Sequence, residues 1–98
     1  MINKLTDWAK ANESELKNLG IKTIGIYHNE AGCYVDHDSN NCIGRISVNV
    51  FGDIDIEVFQ INPGVKTLYV YLSHQTDFSV ELFSLYTKAL QANIDFDN

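Results

Sequence analysis

Ninety-eight residues, 45% hydrophobic and 20% charged, suffice for one folded domain and leave no room for a second core. A net charge of −6 and a sequence pI near 4.7 argue against non-specific nucleic-acid binding, because phosphates would be repelled. No run approaches the ~18 apolar residues of a membrane helix and no apolar signal segment follows Met1, so a cytoplasmic protein without a membrane partner is expected.

In chain order, Asn3 to Leu19 reads as an amphipathic helix. Ile2, Leu5, Ala9, Leu16 and Leu19 recur at helical spacings, Asn3 is placed to cap it, and Gly20 to stop it. Trp8 lies beside this stripe and is expected to anchor the helix on a sheet. Ile21 to His28 reads as a strand with Ile24 and Ile26 on one face, Asn29 to Gly32 as a turn, and Cys33 to Asp36 as a short second strand. His37 to Asn41 is polar and predicts a loop. Three alternating runs follow, Ile43 to Val50, Asp53 to Gln60 and Thr67 to His74, with a Pro63-Gly64 break before the last. Gln75-Thr76-Asp77 opens a second helix with Thr76 or Asp77 as its cap, and Leu82, Phe83, Tyr86, Ala89 and Leu90 form its apolar stripe, joined by Phe78. The acidic tail, Ile94 to Asn98, is expected to fray. The fold class is therefore α+β: a five-stranded antiparallel meander sheet with an N-terminal and a C-terminal helix packed on one face.

Alternation divides the central runs into two faces. Ile46, Val48, Val50, Ile54, Ile56, Val58, Leu68, Val70 and Leu72 define a core, and Arg45, Ser47, Asn49, Asp53, Asp55, Glu57, Phe59, Tyr69, Tyr71 and Ser73 face outward. Facing residues must share a face, which sets Val50 opposite Ile54 across a Phe51-Gly52-Asp53 loop. Arg45 then lies diagonal to Glu57, within reach of an exposed ion pair worth roughly 0.2–1 kcal/mol. The next loop is Pro63 to Val65 or Ile61 to Val65, and either lays Tyr69 and Tyr71 beside Asp55 and Glu57.

Few constellations suggest chemistry. Asp36-His37-Asp38-Ser39-Asn40 begins like a calcium loop, but Asn41 stands where glycine is needed and Ser47 where the closing glutamate belongs. Cys33, His37, Cys42 and His28 match no zinc spacing, and the two cysteines read as buried thiols. No phosphate-binding glycine loop or nucleophile elbow is present, and Asp53, Asp55 and Glu57 sit on an open face instead of in a cleft. The sequence thus predicts no enzyme, catalytic residue, metal or cofactor. It predicts a partner-binding surface of Arg45, Asn49, Asp53, Asp55, Glu57, Tyr69 and Tyr71.

One resemblance spans most of the chain as an order of features. It comprises the Trp8 helix ending at Leu19-Gly20-Ile21, then Cys33-Tyr34-Val35-Asp36, Ile43-Gly44-Arg45-Ile46-Ser47-Val48, a glycine turn, Asp53-Ile54-Asp55-Ile56-Glu57-Val58 and a closing helix. In this order the chain resembles the TriTu-type immunity proteins of bacterial polymorphic toxin systems, with Asn49-Val50-Phe51-Gly52 replacing the family's Trp-Glu-Ser-Gly. The resemblance implies a cytoplasmic antitoxin that binds and neutralises a cognate toxin encoded beside it, and names no functional residues. An acidic face would suit a basic toxin such as a nuclease. A monomer is expected ahead of a homodimer; the alternative reading is a small homo-oligomeric structural or adaptor domain without activity.

Overall fold

The computed structural model describes residues 1–92; the predicted fraying tail lies outside the described residues. Two helices flank an uninterrupted meander: α1 (Ile2–Asn18), β1 (Lys22–Asn29), β2 (Gly32–Asp38), β3 (Cys42–Asn49), β4 (Ile54–Gln60), β5 (Val65–Leu72) and α2 (Val80–Gln91). The strands form one antiparallel sheet in the order β1-β2-β3-β4-β5, as short loops between alternating runs require.

Chain chemistry explains how α1 stops. Gly20 adopts a positive φ of 83°, its N–H donates to the Lys17 carbonyl, and the Ile21 N–H reaches back to Leu16. This is a Schellman closure, with buried Leu16 and Ile21 as its apolar pair. The other end differs from expectation: Met1, not Asn3, is the N-cap, with no side-chain cap bond.

Inward residues of adjacent strands stack in rows. Ile26, Val35, Ile46, Ile56 and Val70 form the middle row, flanked by Cys33, Val48, Ile54 and Leu72 on one side and by His37, Gly44, Val58 and Leu68 on the other. Leu5, Ala9 and Leu16 of α1 and Phe83, Tyr86 and Leu90 of α2 belong to the same buried cluster. Each large aliphatic side chain sealed there contributes about 1.5–3 kcal/mol. Trp8 is half-buried and stacks on Phe83 with ring centroids 4.3 Å apart, so it ties α1 to α2. Gly44 lets α2 approach closely: a Cβ there would stand 2.8 Å from a Tyr86 ring carbon and 3.0 Å from a Leu90 methyl. Cys33 and Cys42 are buried free thiols.

Four further expectations need correction. β2 continues through His37 and Asp38, and His37 is 1% exposed within the core, not in a polar loop. Ile24 is exposed because a bulge between Thr23 and Gly25 turns it away from the core. Val50 is exposed too, because β3 ends at Asn49 and Val48, not Val50, pairs with Ile54. Finally, α2 is capped by Ser79, whose hydroxyl accepts the Glu81 N–H, while Asp77 is held by Lys4 at 2.9 Å.

The two-residue slip in the β3–β4 hairpin has a local cause. The Asn49 side-chain oxygen accepts the N–H groups of Phe51 (2.9 Å) and Asp53 (3.0 Å), and its amide donates to the Asp53 carboxylate (3.0 Å). Those bonds close the turn at Asn49, with Gly52 at φ 85° completing it. Gly52 has a second constraint, since an added Cβ would run into the Gln75 carbonyl. Asn49→Ala should therefore lower stability by about 1–2 kcal/mol, read as a lower urea midpoint with an unchanged m-value.

Candidate functional site: the outward sheet face

With the helices packed on the inward rows, outward side chains form three rows of their own. The first crosses the sheet as Tyr27, Tyr34, Ser47, Asp55 and Tyr71. The second runs Gly25, Asp36, Arg45, Glu57 and Tyr69; the third runs Lys22, Asp38, Ile43, Phe59 and Lys66. Register therefore sets Asp55 directly against Tyr71 and Glu57 against Tyr69, the block expected from alternation. Both tyrosines are more than half exposed, at 55% and 53%.

The charges are largely paired, and not as the alternation suggested. Arg45 stands opposite Glu57 in register, yet its guanidinium makes a bidentate bond to Asp36 on its other side, at 2.6 and 2.9 Å. It also lies 4.2 Å above the Tyr34 ring, which in turn stacks on Tyr27 at 4.7 Å. Hydrogen bonding to Asp36 holds the Arg45 guanidinium still more firmly charged. Glu57 is bonded instead by Lys66 at 2.9 Å, and that ammonium lies 4.7 Å from the Tyr69 ring centroid. The Glu57 bond raises the Lys66 pKa. Asp55 has its pKa raised, first by partial burial and then by the charge of Glu57.

Asn49 and Asp53 are near this block but committed elsewhere. Besides the turn bonds, the Asp53 carboxylate accepts the His74 N–H at 3.0 Å, fastening the β5–α2 connection to the β3–β4 turn. These bonds, led by that from Asn49, lower the Asp53 pKa. Sequence reasoning missed Tyr27, Tyr34, Asp36 and Asp38 on this face. Alternation would have placed the first three had β1 and β2 been paired through their Asn29 to Gly32 turn. Asp38 was hidden by reading its segment as a loop.

Strand alternation also disperses the acidic triplet. Asp36 and Asp38 point outward while His37 points into the core, where its Nδ1 is hydrogen-bonded to the Tyr86 hydroxyl at 2.8 Å. Among the described residues no three His, Cys, Asp or Glu side chains are grouped to hold a metal ion. Among the described residues no helix is long and apolar enough to cross a membrane.

Fold and face together define a small α+β protein with one sheet face sealed by helices and the other open, carrying aromatic and charged side chains. Residues 3–88 match the family model of immunity protein TriTu, and the chain belongs to that family. No curated protein and no solved structure matches it.

Proposed function

We propose that this chain is an immunity protein that binds its cognate toxin, in the cytoplasm and as a monomer, through the outward face centred on Asp55, Glu57, Tyr69 and Tyr71. The observation that carries this reading is the square of two carboxylates and two exposed tyrosines on adjacent strands, within a family of immunity proteins. Tyrosine supplies broad, rigid contact area with a polar tip, and such residues dominate interface energetics. Carboxylates beside them favour a basic partner and steer its approach, which suits a toxin with a nucleic-acid-binding cleft. Arg45 acts in this arrangement as a brace for Asp36 and Tyr34, while Asn49 and Asp53 shape the rim. Inhibition needs no catalytic group on this side; occupying the toxin surface is sufficient.

The test is titration of the purified protein with the toxin domain encoded beside it. Tyr69→Ala and Tyr71→Ala should each cost about 1–2 kcal/mol of binding, chiefly through faster dissociation. Asp55→Lys with Glu57→Lys should slow association and flatten its dependence on salt. Wild-type affinity in all these variants, with the fold retained, would remove the outward face from the interface.

A further inference from the structure

Both edge strands of the sheet carry a bulge at the same end. One, in β1, turns Ile24 outward; the other, in β5, leaves Thr67 unpaired between Lys66 and Leu68, opposite Phe59 and Val58. Between them the third outward row sinks into an open hollow of about 670 Å³. Its apolar wall is Ile24, Ile43 and Phe59, which are 46%, 48% and 39% exposed. Ile43 pairs with Phe59 in register on one side and with Asp38 on the other. Asp36, Arg45, Glu57 and Lys66 also line the hollow, but as two ion pairs whose charges offset one another, which leaves Asp38 as its one uncompensated charge among the described residues. Asp38 makes no ion pair or side-chain hydrogen bond among the described residues, although Lys22 is its register neighbour.

An apolar trough with an unpaired carboxylate on the strand between Ile24 and Ile43, on a chain of net charge −6, is complementary to a long cationic side chain. The aliphatic stem of such a group would lie along Phe59 and Ile43, its charged end against the Asp38 carboxylate on the next strand. We infer that this hollow is the anchor socket for an arginine or lysine projecting from a loop of the toxin. This rests on the proposed outward interface and names the chemistry its partner must present. Bulges belong to the same argument, because they re-aim single side chains and deepen local twist where a strand would otherwise present a flat edge.

Affinity for the toxin domain encoded beside the chain would be measured for Asp38→Asn, Ile43→Ser and Tyr69→Ala, each first checked for native circular dichroism. Asp38→Asn and Ile43→Ser should each weaken binding by about tenfold, and Asp38→Asn should also reduce the salt dependence of affinity. Wild-type affinity in both, with Tyr69→Ala weakened, would overturn the socket while leaving the outward interface standing. Wild-type affinity in all three would overturn both. Loss in Ile43→Ser with none in Asp38→Asn would also overturn the inference, since the occupant would then be apolar and not cationic.

Discussion

Phe83→Ala should lower the stability of this protein by about 3–5 kcal/mol, a large share of what a domain of this size possesses. Phe83 is the middle ring of a stack. Its centroid lies 4.3 Å from Trp8 on α1 and 4.4 Å from Phe78 in the segment entering α2, with interplanar angles of 7° and 9°. Phe78 is wholly buried and Phe83 nearly so. Truncation opens a cavity whose walls belong to three separate segments, which cannot all collapse inward at once. Loss of the stacking contacts adds to the loss of apolar burial. Urea unfolding followed by Trp8 fluorescence reads the effect directly, because the reporter ring sits on the deleted one. A change below about 1 kcal/mol would mean that the stack contributes little beyond surface contact.

A second large effect concerns acid. Burial lowers the His37 pKa from 6.5 to about 4, despite opposing contributions from Asp36 and Asp38. The imidazole is neutral in the fold, bonded to the Tyr86 hydroxyl and edge-on to Trp8 at 5.8 Å. Between the two pKa values the unfolded chain binds a proton that the folded chain does not, so stability falls as pH falls through this window. The contribution is fully present above about pH 6.5, and about 3 kcal/mol is lost on going from about pH 7 to about pH 4. His37→Gln removes the titrating group and should flatten the stability profile between those pH values, even if it lowers the plateau near neutrality. The informative quantity is the slope, obtained from urea midpoints at several pH values. An unchanged slope in the variant would place the acid sensitivity in the carboxylates alone.

Alternation made the division into inward and outward residues legible, because a period of two assigns a face without knowledge of neighbours. It set Asp55 and Glu57 beside Tyr71 and Tyr69, since either candidate loop before β5 preserves that parity. Register in the β3–β4 hairpin was not legible. Parity permits slips of two residues, and the choice was made by Asn49 bonding its own turn. The bulges that expose Ile24 and shape the hollow left no mark in residue pattern, because an apolar residue at an edge fits either face. Partner choice among charges failed for a related reason. Arg45 has a carboxylate on each side across the sheet, and only the full pairing of β2 with β3 reveals Asp36 opposite it. His37 was misread because its polar neighbours resemble a loop, although Gly44 within a strand already signals a close approach by another element. That element is Tyr86, and its hydroxyl is what allows a histidine to be buried there.

The distribution of tyrosines offers the most direct test of the central claim. Of the five in the chain, Tyr27, Tyr34, Tyr69 and Tyr71 are on the outward face, whereas Tyr86 is fully buried. Hydroxyl-radical footprinting read by mass spectrometry would compare their labelling in the free protein and in the presence of a saturating cognate toxin domain. Strong protection of Tyr69 and Tyr71, with Tyr86 unlabelled in both states, is the expected result. Equal labelling of Tyr69 and Tyr71 in free and saturated protein would contradict the outward face as the surface that meets the toxin.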